Sequence, residues 1–284
     1  MATIIDGKRI SAEIRAELTE KTTEFQNKYN TVPGLAVIIV GEDPASRVYV
    51  RNKHKACAEV GFYSEVHELP ADATEEQVIA LIDKLNEQDN IHGILVQLPL
   101  PKHLDEQTVL LRIKPEKDVD AFHPYNVGKI MIGDYNVLPC TPAGVMQLLA
   151  RSGVSAAGKH CVVIGRSNIV GKPMAMLLLH DNGTVTICHS RTPDLKAQTL
   201  QADILVAAVG KPGFVTADMV KPGAVVIDVG INRGADGKLC GDVDFAPVSE
   251  VASMITPVPG GVGPMTITML LQNTLTVAQT ALNK

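Results

Sequence analysis

Three polar side chains share one helical face early in the chain: Ser46, Tyr49 and Lys53 stand at i, i+3 and i+7. Asp43-Pro44 opens the helix that carries them, Asp43 as N-cap and Pro44 at the first helical position, where its missing N–H costs nothing. A tyrosine four residues before a lysine sets a phenol beside an ammonium that can act as base or electrostatic prop. The same spacing describes a surface tyrosine in a basic stripe, since Arg51, His54 and Lys55 are adjacent. Gln97 shifts the balance towards chemistry. It stands in Ile94-Leu95-Val96-Gln97-Leu98, where its amide would be buried and would need partners. It also falls at the carboxyl end of an expected strand, where open α/β sheets bind ligands. Pairing with backbone is the alternative. After Lys117, Asp118-Val119-Asp120 offers loop carboxylates; each can cap a turn, and Asp120 can instead accept two hydrogen bonds from an amino-heterocycle.

A second constellation begins at Cys161-Val162-Val163-Ile164-Gly165, an apolar run that stops at glycine. Arg166-Ser167-Asn168-Ile169-Val170 makes a tight turn, and Gly171-Lys172-Pro173 opens a helical run. Such a strand-turn-helix lets backbone approach a pyrophosphate and points unpaired N–H groups of the helix start at its charge. The match to G-x-G-x-x-G is imperfect, with Ser167 in place of the second glycine. NAD-binding versions carry an acid near the end of the next strand to grip the ribose 2′-hydroxyl. Here His189-Ser190-Arg191-Thr192 holds that place, without a carboxylate. A hydroxyl and a guanidinium suit a 2′-phosphate, which favours NADP; the alternative leaves Arg166 and Arg191 as solvated loop charges.

The elements that must position these groups follow from periodicity. Residues 11–29 and 74–85 read as helices, the second behind a Thr74-Glu75-Glu76-Gln77 capping box. Residues 35–40 and 93–99 read as buried strands, as do 184–188, 204–208 and 225–229 beyond the glycine turn. Strands spaced by helices predict two doubly wound α/β domains, the second Rossmann-like, with a cleft between them. The expected boundaries are 1–140 plus 267–284 for the first domain and 141–266 for the second. The final helical segment, from about Thr266, is expected to pack on the first. Between these domains' segments lies Thr256-Pro257-Val258-Pro259-Gly260-Gly261-Val262-Gly263-Pro264, a rigid, glycine-rich loop that a planar ligand can approach; an inter-domain linker is the duller alternative.

Composition narrows the function classes. The chain has 284 residues, 45% of them apolar, and a net charge of −5, without the basic excess of a nucleic-acid binder. Its five cysteines are scattered without C-x-x-C, and its eight histidines show no metal spacing, so a reduced cytoplasmic protein without a metal site is expected. Acid and base near the N-terminus argue against a signal peptide, and no apolar run reaches membrane-spanning length.

Taken in order, the motifs resemble those of the bifunctional methylenetetrahydrofolate dehydrogenase/methenyltetrahydrofolate cyclohydrolase family. The resemblance runs from Asp43-Pro44-Ala45-Ser46 with Tyr49 and Lys53, through Gly93-Ile94-Leu95-Val96-Gln97-Leu98-Pro99, Lys117-Asp118-Val119-Asp120 and Gly165-Arg166-Ser167, to Pro259-Gly260-Gly261-Val262-Gly263-Pro264-Met265-Thr266. It implies NADP-dependent oxidation of methylene-tetrahydrofolate, then hydrolysis of the methenyl product to formyl-tetrahydrofolate, in a homodimer of one-carbon metabolism supplying purine, histidine and methionine synthesis. Matched motif by motif, it implies Lys53 as catalytic lysine, Gln97 as its orienting partner, Tyr49 as the ring stacking on folate and Asp120 as pterin anchor. Ser46, Leu98, Pro99 and Pro259 through Gly263 would line the folate site. Gly165, Arg166, Ser167, Ile169, Ser190, Arg191 and Ile231 would bind the cofactor. One departure is visible: Ala121 follows Asp120 where the family usually has glycine, and a positive φ there would strain alanine.

The chemistry suits the residues. Hydride transfer chiefly needs two molecules held in alignment, whereas ring opening needs proton transfers, for which Lys53 is the candidate. Gln97 can hydrogen-bond Lys53 without adding charge. A two-domain NADP dehydrogenase of a small keto or hydroxy acid is the enzymatic alternative, and would need no hydrolytic step. A non-enzymatic NADP-binding module would not bind folate. Short-chain dehydrogenases place their Tyr-x-x-x-Lys after the glycine turn, the reverse of the order here.

Overall fold

The computed structural model describes residues 1–234 and 237–283; the side chain of Ala45, within the Asp43-Pro44-Ala45-Ser46 motif, lies outside the described residues. The first half of the chain contains β1 (Thr3–Ile4), α1 (Gly7–Tyr29), β2 (Gly34–Val40), α2 (Pro44–Glu59), β3 (Tyr63–Leu69), α3 (Glu75–Asn86), β4 (Gly93–Val96), α4 (Glu106–Arg112) and α5 (Pro124–Ile132). There follow α6 (Cys140–Arg151), β5 (His160–Ile164), α7 (Gly171–His180), β6 (Thr184–Cys188), α8 (Leu195–Thr199), β7 (Ile204–Ala207) and β8 (Val225–Asp228). The chain closes with β9 (Asn232–Arg233), β10 (Leu239–Cys240), α9 (Phe245–Val251), β11 (Met254–Ile255) and α10 (Val262–Leu282).

Two compact units result: Glu13–Leu138 with Ile267–Lys284, and Met1–Ala12 with Pro139–Thr266. The first is built on a three-stranded sheet of order β3-β2-β4, all parallel. β2 is the central strand and all seven of its residues are buried, as expected of a parallel strand covered on both faces. Its core combines Ile38, Ile94 and Val96 with Val78, Ile82 and Leu85 of α3, and full burial of each such side chain contributes roughly 1.5–3 kcal/mol. Both bonds of the α3 capping box form. β3 was not expected. It is an edge strand that reads Tyr-Ser-Glu-Val-His-Glu-Leu and is half exposed, so it lacks a buried strand's apolar run.

The second unit holds a six-stranded parallel sheet of order β1-β11-β8-β7-β5-β6. Its core gathers Val162 and Ile164 of β5, Leu205 and Ala207 of β7, Val226 of β8 and Ile255 of β11. The N-terminal residues 1–12, expected with the first domain, belong here because β1 pairs with β11 and Ile5 N donates to Ile255 O at 2.9 Å. A two-residue, exposed strand carries no periodicity, so only its pairing reveals it. α1 starts at Gly7, four residues before the expected start, and α10 starts at Val262. From Ile267 onward α10 belongs to the first unit, where Asn273 Nδ2 donates to Val119 O and Leu138 O, each at 2.8 Å.

Candidate active site

In the small-sheet unit the chain crosses over at β2, whose neighbours β3 and β4 leave it in opposite directions, so the carboxyl ends of β2 and β4 border a crevice suited to a ligand. α2 leaves β2 through Asp43, whose carboxylate accepts the Ser46 N–H at 2.8 Å and fixes the helix start. Ser46 is buried and Tyr49 is exposed, one turn before Lys53. Lys53 Nζ donates to Gln97 Oε1 at 3.0 Å. Gln97 lies just past β4 and is half-buried rather than inside the strand; its N–H donates to Ile38 O at 2.8 Å and its Nε2 to Leu98 O. The amide therefore meets both expectations, one partner being the lysine and the other backbone. Leu98 is half-buried and Pro99 exposed, joined by a cis peptide bond.

The two loop carboxylates separate in role. Asp118 is buried and its Oδ2 accepts from His123 N at 2.8 Å and Asn126 Nδ2 at 2.9 Å. Burial pushes its carboxyl above the ordinary range, against the pull of those donors. Asp118 thus ties the loop internally and leaves Asp120, half-buried, as the ligand candidate. Ala121 is fully buried at φ +56°, the left-handed conformation that strains alanine.

In the large-sheet unit the switch point falls at β5, between β6 and β7. Gly165 leaves β5 at φ +133°, and a Cβ there would stand 2.3 Å from Ala208 O. A Cβ at Gly171 would stand 2.2 Å from Gly165 O, so both turn glycines are obligatory. One expectation needs correction. The helix start does not offer all its N–H groups, because Ser167 Oγ accepts from Val170 N at 3.1 Å and Gly171 N at 3.3 Å. A hydroxyl in place of the second glycine caps the turn itself. Gly165 N donates to Cys188 O at 2.9 Å, which ties this turn to the end of β6, where Ser190 and Arg191 follow. Arg166, Ser167, Ile169, Ser190, Arg191 and Ile231 are all exposed at the carboxyl edge of this sheet.

The loop before α10 also differs from expectation. Pro259, Gly260 and Gly261 remain loop, whereas Val262 and Gly263 form the first turn of α10. Lys8 N donates to Gly260 O at 3.1 Å, and Gly263 faces Ile231. Within this unit the structure thereby brings a cofactor candidate, Ile231, beside the glycine-rich loop.

Two site-shaping residues escaped the sequence reading. Asp228, at the end of β8, accepts from Gly230 N, Asp242 N and Val243 N, each at 2.9 Å. Asp242 accepts from Val209 N at 2.6 Å, Gly210 N at 3.0 Å, Lys211 N at 2.8 Å and Asn232 Nδ2 at 2.8 Å. Both are buried and together they pin the loops after β7 and β8, including the one that carries Ile231. Burial, and less strongly Asp242, pushes the Asp228 carboxyl up to about 6. A lone carboxylate ending Val225-Val226-Ile227-Asp228 was the available signal, the same kind that exposed Gln97; Asp242 had none.

Known proteins match along the whole length of the chain. A family model described as tetrahydrofolate dehydrogenase/cyclohydrolase, catalytic domain, matches residues 5–120, and its NAD(P)-binding counterpart matches residues 139–282. A "Bifunctional protein FolD" of Magnetococcus marinus is 60% identical over 283 residues, covering 100% of this chain and 99% of the relative. The crystal structure of the bifunctional FolD of Campylobacter jejuni superposes with a TM-score of 0.96 at 50% identity, covering 99% of this chain and 100% of that one. That of Trypanosoma brucei, complexed with NADP cofactor and inhibitor, gives 0.95 at 44% identity, covering 100% of this chain and 99% of that one. The chain belongs to the tetrahydrofolate dehydrogenase/cyclohydrolase family.

Proposed function

We propose that Lys53 and Gln97 carry the proton transfers of this family's hydrolytic step, and that the exposed turns of the large sheet hold the cofactor. The chain is a bifunctional one-carbon enzyme, a methylenetetrahydrofolate dehydrogenase that uses NADP and a methenyltetrahydrofolate cyclohydrolase. The observation that supports the residue assignment best is the 3.0 Å bond from Lys53 Nζ to Gln97 Oε1 at the carboxyl ends of β2 and β4.

In the first reaction the methylene carbon of the folate gives up a hydride, leaving a methenyl cation shared by the adjacent nitrogens. NADP+, when bound, supplies the hydride acceptor. Gly165 and Gly171 let the turn close tightly on the chain's own backbone, while Arg166, Ser190 and Arg191 would offer a guanidinium and hydroxyl environment that suits a 2′-phosphate; Ser167, Ile169 and Ile231 would complete that edge. The absence of a carboxylate after β6 fits NADP better than NAD. In the second reaction water attacks the methenyl carbon. Lys53 takes one water proton as the C–O bond forms. When the C–N bond to the departing ring nitrogen breaks, Lys53 returns that proton to the nitrogen and the remaining hydroxyl proton leaves to solvent, while Gln97 holds the lysine nitrogen in place without adding negative charge. Tyr49 stacks on the folate, Asp120 accepts from the pterin edge, and Ser46, Leu98 and Pro99 line the substrate; on the large-sheet unit the Pro259-Gly260-Gly261-Val262-Gly263 segment is the candidate for contact with a planar ligand.

The test supplies methylene-tetrahydrofolate with NADP, then NAD, and follows reduced cofactor, methenyl and formyl products together. Reduction with NADP ending in formyl product is expected; Arg166→Ala or Ser190→Ala should narrow the NADP preference. Unchanged cofactor ratios in both variants would refute the cofactor assignment. A homodimer is part of the same proposal, supported by β6 as an edge strand with Ile187 exposed, and sedimentation velocity tests it. The scattered cysteines, four of them buried, suit a reducing cytoplasm, and the products suit purine, histidine and methionine synthesis.

A further inference from the structure

A cavity of about 660 Å³ lies within the small-sheet unit, away from the Lys53–Gln97 pair. His92 lines it and immediately precedes β4, whereas Gln97 follows that strand; five residues of extended chain separate them by roughly 16 Å. His92 is only 5% exposed. Its Nδ1 accepts the Gly34 N–H at 3.0 Å, and its own N–H donates to Gly34 O at 2.9 Å. An imidazole whose Nδ1 accepts carries its proton on Nε2 when neutral, and burial, then the nearby Lys117 charge, favours the neutral form. Among the described residues Nε2 has no hydrogen-bond partner, yet none of their fully buried side-chain nitrogens and oxygens lacks one. Nε2–H is therefore not fully buried, on a residue that lines the cavity.

Lys117 stands beside it. Its Nζ donates to Leu85 O at 3.1 Å and Gln88 O at 2.7 Å, which leaves one proton, and it makes no ion pair among the described residues. Burial, then Lys114, disfavours its charge, while Asp89, Glu87 and Glu116 favour it less strongly. Ile91, Val137 and Val277 supply buried apolar wall. Glu87, Asp89 and Glu116 also border the space; among the described residues Glu87 forms an ion pair with Lys114 at 2.8 Å, while Asp89 and Glu116 act on Lys117 without a direct contact. Carboxylates bordering the same space as the two donors tolerate a single negative charge and oppose a second.

We propose that this cavity binds a small monocarboxylate with a flat apolar body, its carboxylate on His92 Nε2–H and Lys117 Nζ and its body against Ile91, Val137 and Val277. The site is independent of the folate and cofactor assignments.

Calorimetric titration of the full chain with 3-phenylpropanoate tests it. Saturable millimolar binding is expected, unaffected by saturating tetrahydrofolate. His92→Asn retains an acceptor for the Gly34 N–H and removes the Nε2 donor, while Lys117→Met retains the stem and removes the charge. Each is expected to weaken binding about tenfold, the equivalent of one charge-assisted hydrogen bond, with dehydrogenase activity retained as evidence of folding. Absence of binding, displacement by tetrahydrofolate, unchanged affinity in both variants, or equal binding of inorganic phosphate would each overturn the proposal.

Discussion

At the carboxyl ends of β2 and β4 the small-sheet unit presents a pair of side chains, Lys53 and Gln97, whereas at the ends of β5, β6 and β8 the large-sheet unit presents mostly backbone and exposed turns. In both sheets the chain reverses its direction of travel across the sheet beside one strand, β2 in the three-stranded sheet and β5, next to the edge, in the six-stranded one, so both open a crevice at the same kind of point. What fills the crevice follows the task. The proton transfers proposed for Lys53 need one nitrogen held in one place, and a helix plus a strand end hold it with a single direct bond. The dinucleotide site proposed for the other unit needs donors spread over a long molecule, and the closely packed glycine turns are the places proposed for them. The turns must then be stiffened from beneath, and the buried Asp228 and Asp242 do so with backbone N–H groups as partners. The small sheet has a smaller counterpart in Asp118, which ties its loop through His123 and Asn126.

The contrast breaks most directly at Lys53. Lys53→Met should reduce methenyl hydrolysis by about 10³-fold, within the usual range for general acid–base catalysis, with NADP affinity unchanged; stopped-flow loss of methenyl absorbance measures it. Hydrolysis at the parent rate would remove Lys53 from the chemistry.

On the cofactor side, Asp242→Asn turns an NH₂ group towards backbone donors that now point at a carboxylate. It should cost about 3 kcal/mol of stability and raise the KM for NADP more than it lowers kcat. Equal loss of both cofactor and folate parameters would mean that the pair merely holds the unit together.

Asp228 sharpens the same point through pH. Its folded-state pKa, about 6, lies above the ordinary 3.8, so the folded state holds the proton more tightly than the unfolded chain. Its contribution to stability is therefore complete below about pH 4 and is lost as pH rises to about 6, amounting to about 3 kcal/mol across the window. Asp228→Asn should flatten that portion of the denaturation profile, and a slope retained in the variant would assign it to another group.

Ala121→Gly should have the smallest effect. Relief of the left-handed alanine, about 1–2 kcal/mol, is opposed by loss of a buried methyl, about 0.8 kcal/mol, and by the chain entropy of glycine, about 0.5–1 kcal/mol. A change below about 1 kcal/mol in urea unfolding is expected from these opposing terms; a larger gain would show that the Asp120 loop stores strain that the cofactor side does not.

Much of this architecture is legible in the amino-acid sequence. β2, β4, β5 and β7 are apolar runs bounded by turn residues, the α2 and α3 caps use side chains three residues from their targets, and Tyr49, Lys53 and the glycine turn are local spacings. Gln97 was visible because an amide in an apolar run has to be explained. β3 and β1 were not, one being half exposed and charged, the other two residues long. Nor could the chain order show that the capping role of Ser167 consumes the N–H groups of Val170 and Gly171.

The sequence by itself determined which residues are able to do chemistry and which elements carry them, because helix caps, turn glycines and hydrophobic period depend on neighbours within a few positions. Only the tertiary structure decided that Lys53 meets Gln97 from 44 residues away, that Asp242 gathers the loop at 209–211, and that residues 1–12 complete the larger sheet. Those pairings close long loops, and which loops close is set by the whole packed core rather than by any local pattern.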